Sequence, residues 1–105
     1  MQNLIALESV KEKIAVFSNR KFGRNRQFTS PLHHLKGEAD EAIENGEISE
    51  FADCLLCLLD AYRLRFPNSH TDLLLVSALD KIEAMEPREW GKPDENGCFQ
   101  HTKNV

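Results

Sequence analysis

Asn45-Gly46 lies between two helix-period stretches and limits, more than any other feature, what this chain can fold into. Asn followed by Gly ends a helix and turns the chain back tightly, because glycine adopts the left-handed conformation without steric cost. So short a connection lays the flanking helices antiparallel. Each carries two acids three residues apart, Glu38-x-x-Glu41 before the turn and Glu50-x-x-Asp53 after it. That spacing puts both members of a pair on one helix face, a turn apart. Folded antiparallel, the two pairs confront each other.

The remaining periodicity predicts an all-α, four-helix bundle with a short irregular C-terminal tail. The first helix is expected from about Ile5 to Lys21, with Val10, Ile14, Ala15 and Phe17 at helical spacing and Phe22-Gly23 as its break. Ser30-Pro31 reads as the start of the second, a capping hydroxyl followed by proline. The third, about Glu47 to Phe66, is apolar almost all round and is therefore expected at the centre. Its exception is the stripe of Glu50, Asp53, Cys57 and Asp60. Pro67-Asn68-Ser69 turns the chain into a fourth helix, about Thr71 to Glu86. There Leu74, Leu75, Ala78, Leu79, Ile82 and Met85 are expected to face inward. With 105 residues the chain is expected to be a single domain, its helical core at about 5–86 and its tail at 87–105. In the tail, Gly91, Pro93 and Asn96-Gly97 are turn signals, and Cys98 to His101 reads as a short extended segment.

Charge is divided sharply along the chain. Five basic residues and no acid fall between Arg20 and Lys36, whereas eight acids and no Lys or Arg fall between Glu38 and Asp60. A net charge of −4 argues against non-specific binding to a nucleic acid polymer. The split suits a metal on one side and a phosphorylated ligand on the other. No apolar run approaches a membrane span and no signal peptide is evident, so a cytoplasmic protein is expected. Cys54, Cys57 and Cys98 fit a reducing compartment, and Cys54-x-x-Cys57 reads as small core residues. Zinc would need two further ligands, and a thioredoxin-type site a preceding strand.

Carboxylates in an apolar helix are costly unless something positive meets them. Glu50 and Asp53, facing Glu38 and Glu41, offer an all-oxygen donor set without a Lys on the same helix, which suits Mg²⁺, with Mn²⁺ as the alternative. Di-iron bundles instead use Glu-x-x-His, and no Glu stands three residues before any of the four histidines. Asp40, Glu44 and Glu47 read as a solvated face. His33-His34 reads as a surface pair supporting the acids from outside. The basic loop Arg20 to Arg26 has the chemistry to grip a triphosphate, through Arg24 and Arg26 above all. Trp90 and Phe99 are candidates to stack on a base or to pack the tail. A non-catalytic helical interaction or regulatory protein, with the acids as a structural or vestigial metal site, is the alternative reading.

Two stretches, His34 to Glu41 and Glu50 to Asp60, resemble the MazG-like all-α nucleoside triphosphate pyrophosphohydrolases. Lys81, Arg88 to Asp94 and Gly97 to His101 are similar to one branch, the dATP/dGTP diphosphohydrolases. The resemblance implies Glu38, Glu41, Glu50 and Asp53 as Mg²⁺ ligands, and an acid not fully engaged by the metal, Glu41 or Glu50, could take a proton from the attacking water. It implies cleavage of a nucleoside triphosphate to the monophosphate and pyrophosphate. Lys81 and Arg88 match basic positions expected to meet phosphates. The candidate substrate-binding residues are then Arg24, Arg26, His34, Lys36, Lys81, Arg88 and Trp90. A homodimer or homotetramer is expected, with a partner subunit closing the pocket over a small bundle.

Overall fold

A computed structural model describes residues 5–102 of the chain. Four helices follow in order: α1 (Leu7–Phe22), α2 (Thr29–Asn45), α3 (Ile48–Arg65) and α4 (Thr71–Met85). The all-α expectation holds, and no strand forms among the described residues. No helix among them is long and apolar enough to cross a membrane. The chain folds as two compact units, one ending at Thr71 and one beginning at Asp72.

In the first unit α3 is central, packed against both α2 and α1. Gly46 makes the turn that the sequence predicts. Its φ of 65° and ψ of 23° are left-handed, and its N–H donates to the Ala42 carbonyl at 2.8 Å. The start of α2 differs from expectation. The helix begins at Thr29 with no side-chain cap, so Ser30 lies inside the first turn rather than capping it. Pro31 is buried there, where its missing N–H leaves no helical bond unmade.

The burial pattern corrects two further expectations. α3 is not covered all round: Phe51 is 62% exposed, and Leu55 and Leu58 are also exposed. On α1 the buried positions are polar, Lys11 and Ser18, two turns apart, while Phe17 and Phe22 are exposed. Lys11 is stabilised there because its Nζ donates to the Ser69 carbonyl at 2.8 Å and lies 3.0 Å from Glu8 Oε2. Burying an ammonium without such partners would be costly.

Glu8 ties α1 to the end of this unit. Its Oε1 accepts the Thr71 backbone N–H at 2.9 Å. That bond, aided by Lys11 and opposed by burial, holds the Glu8 carboxyl down at about 2, against an ordinary 4.5. A depressed carboxyl favours the folded state once it is ionised in both states. Its contribution is therefore complete above about pH 4.5 and is lost as pH falls toward about 2. Denaturant titrations across this window should show Glu8→Gln with a flatter loss of stability than wild type. Parallel curves would refute the assignment.

The second unit comprises nearly all of α4 and the tail. It does not cover Leu75, Leu79 or Ile82, so the inward face expected of α4 finds no shelter there. The tail is irregular, as expected, and is pinned at one point. Trp90 and His101 form an antiparallel bridge, with their rings edge to face at 6.0 Å. Gly91 N–H donates to Gln100 O at 2.9 Å and Thr102 N–H to Glu89 O at 2.8 Å. The turn between them is held by Asp94, whose Oδ1 accepts the N–H groups of Asn96 and Cys98, and Gly97 takes a φ of 78°. The expected extension at Cys98 to His101 thus forms one arm of a hairpin-like strap.

Candidate metal centre

The hairpin of α2 and α3 brings the two acid pairs together. Glu38, Glu41, Glu50 and Asp53 each offer a carboxylate oxygen, and these oxygens all lie within 4.8 Å of one another. Glu38 and Glu50 are half-buried, whereas Glu41 and Asp53 are exposed. Convergence at the turn, not burial in an apolar helix, is therefore what singles these residues out.

Each partly covered acid is held by a neighbour. His34 Nε2 lies 3.0 Å from Glu38 Oε1, one helical turn away on α2. Asn45, at the turn itself, donates from Nδ2 to Glu50 Oε1 at 3.3 Å. The spacing of His34 and Glu38 was open to sequence reasoning, while Asn45 read there only as a helix stop. The second oxygen of Glu38 is buried and has no hydrogen-bond partner. A buried carboxylate oxygen left in this state is costly unless it ligates a cation. Electrostatics point the same way. The charges of Glu38 and then Glu50, with a smaller contribution from burial, push the Glu41 carboxyl above its ordinary value. An all-oxygen set of four carboxylates with one orphaned buried oxygen fits a hard divalent cation.

Along α3 the acidic stripe continues through Cys57 to Asp60. Burial and the neighbouring carboxylates, Glu38 first among them, raise the Cys57 thiol, which keeps it neutral and inert. Asp60 is buried among cations that sequence reasoning did not assemble. Its Oδ2 accepts Arg26 Nη1 at 2.8 Å and Ser18 Oγ at 3.2 Å. Its Oδ1 accepts Arg63 Nε at 2.8 Å, and Arg63 Nη1 continues to Asn19 Oδ1 at 2.9 Å. Arg63 stands three residues after Asp60, a visible helical pairing; Arg26 comes from the α1–α2 loop and is brought in only by the fold.

The other sequence candidates lie as follows. Arg24 and Lys36 are exposed in the first unit, with Arg26 half-buried against Asp60. Lys81, Arg88 and Trp90 belong to the second unit, where Lys81 and Trp90 are exposed and Arg88 is half-buried.

Comparison with known proteins fits this geometry. The profile of the family described as dATP/dGTP pyrophosphohydrolase matches residues 10–105. A solved structure of a cyanophage S-2L MazG-like pyrophosphohydrolase, bound to dGDP and three catalytic Mn²⁺ ions per active site, has a similar fold, with a TM-score of 0.73. The likeness covers 96% of this chain and 97% of that one, at 19% identity. No curated protein sequence matches.

Proposed function

The chain belongs to the dATP/dGTP pyrophosphohydrolase family and is a hydrolase acting on nucleoside triphosphates; from that premise we propose that it cleaves dATP or dGTP, with Mg²⁺, to the monophosphate and pyrophosphate. The observation that carries this reading is the four-carboxylate cluster with the orphaned Glu38 oxygen. Glu38, Glu41, Glu50 and Asp53 would hold the metal. When bound, a divalent cation offsets phosphate charge and lowers the pKa of a water for in-line attack on phosphorus.

The remaining work falls to the chain's own groups. Whichever of Glu41 and Glu50 the metal leaves less engaged is our candidate to accept the water's proton. Asn45 and His34 keep Glu50 and Glu38 aimed inward. Arg24 and Lys36 of the first unit are proposed to meet the phosphates, and for Lys81, Arg88 and Trp90 the family resemblance alone supports a part in binding substrate. The proposal includes a homodimer or homotetramer, supported by the uncovered Leu75, Leu79 and Ile82 of α4 and Phe51 of α3.

Purified protein incubated with each NTP and dNTP plus Mg²⁺, with products resolved chromatographically, tests the reaction. Monophosphate and pyrophosphate from dATP or dGTP are expected; turnover of neither would sink the proposal. His34 provides a second check. Truncation to Ala removes the group that fixes Glu38, and losing such a supporting contact typically weakens metal affinity about 10-fold or more. Calorimetric titration of His34→Ala with Mn²⁺ should show that loss, with His34→Gln recovering part of it. Equal affinities would remove His34 from the site.

A further inference from the structure

A cavity of about 210 Å³ opens beside the acidic cluster, wholly within the first unit, with Glu38 and Asp53 in its lining. Asp53, Cys57 and Asp60 lie along it at positions i, i+4 and i+7 of α3, a run of roughly 10 Å at 1.5 Å per residue. That length is comparable to a nucleoside monophosphate measured from its 5′ phosphate to the far edge of its base. The character of the lining changes along the run. Carboxylates stand at the Asp53 end, and the rings of Phe17 and Phe22, edge to face at 5.8 Å, contribute apolar wall. At the Asp60 end the cavity meets Ser18 and Arg26.

Asp60 has no capacity to spare for a ligand. Both its oxygens are engaged, by Ser18 and Arg26 on one side and Arg63 on the other. Its effect is to fix Arg26, whose guanidinium also lies over the Phe22 ring at 5.3 Å. A guanidinium carries five N–H donors and no acceptor. With one hydrogen bond spent on Asp60, Arg26 lines an otherwise largely apolar slot with a rigid donor fork. The matching base edge is one with two adjacent acceptors. Guanine presents O6 and N7 in that way, whereas adenine puts its N6 amino donor beside N7 and would set donor against donor.

We propose that this cavity takes the nucleobase and that Arg26, held by Asp60, selects guanine over adenine. The inference rests on the nucleotide hydrolysis proposed above. It also moves Arg26 from the phosphate contact expected from sequence to the base end of the site.

The test compares kcat/KM for dGTP and dATP in wild type, Arg26→Gln and Arg26→Lys, each at a temperature where circular dichroism shows a folded protein. Wild type should favour dGTP. Arg26→Gln should lower the dGTP/dATP ratio by about 10-fold or more, the scale of one bidentate base contact. Arg26→Lys keeps a charge for Asp60 but loses the fork, so it should also lower the ratio even where the Gln variant fails to fold. A ratio unchanged in both variants, with both substrates slowed alike, would identify a phosphate contact or a folding role and overturn the assignment. A wild type with no preference for dGTP would overturn it too. Hydrolysis of neither substrate by wild type is a different result, one that removes the function proposed above rather than the base assignment alone.

Discussion

Glu50→Gln and Asp53→Asn should each slow pyrophosphate release by about 10³-fold or more while leaving the helices intact. The amide keeps the size of each side chain and removes the negative charge that a hard cation requires. Metal assistance in phosphoryl transfer is worth several kcal/mol, and each 1.4 kcal/mol is about tenfold in rate. The two variants should differ in one respect. Glu50 is half-buried and receives Asn45 Nδ2, so its amide can flip and turn a donor toward the other acids. Asp53 is exposed, and water can replace part of its ligation. The Glu50 variant should therefore suffer the larger loss of Mn²⁺ affinity. Rates within tenfold of wild type, at saturating Mg²⁺, would mean that the acids are not the metal's ligands.

Asp60→Ala should be the most destabilising single substitution in the first unit. Removing one partner of a buried ion pair typically costs about 3–5 kcal/mol, because the other partner is left charged and unpaired. Here two guanidiniums and the buried Ser18 hydroxyl lose their shared acceptor at once. The side chain of Asp60 is only 6% exposed, and that of Arg63 11%, so water cannot readily take its place. Urea unfolding followed by far-UV circular dichroism should show a midpoint well below that of wild type. Asp60→Asn, which keeps an acceptor oxygen, should fall between the two. A shift under about 1 kcal/mol for the alanine variant would show the network to be a surface ion pair in effect.

How much of this was legible in the sequence depends on the range of each interaction. The helices and the Asn45-Gly46 turn follow from local preferences, and each helix forms within two residues of its expected bounds. The acid cluster was equally legible, because two short spacings and one tight turn fix the relation of four side chains. The expectation that carried Glu50 and Asp53 was nonetheless wrong in its reason. Hydropathy could not see that Phe51 and Leu55 stay exposed, so burial was assigned to a face that is open. Lys11, Ser18 and Arg26 were opaque for a different cause. Their partners lie 58, 42 and 34 residues away, and no periodicity in a single helix registers a contact across that span. The cap on α2 failed for a smaller reason, since the helix gained two residues at its start, Thr29 and Ser30, and left Ser30 inside.

The crowding at Glu41 bears on the stability of the fold. A carboxyl raised by its neighbours' charges makes a folded-state contribution that is present below about pH 4.5 and lost as pH rises through its folded value. At neutral pH the α2–α3 hairpin is therefore held shut against mutual repulsion across its own turn. A divalent cation bound there does more than assist chemistry, because ligands that bind only the folded chain stabilise it in proportion to the logarithm of their concentration. Such a cation would therefore relieve the repulsion at the turn and stabilise the folded hairpin, so that the carboxylates meant for chemistry would also make the fold depend on the metal.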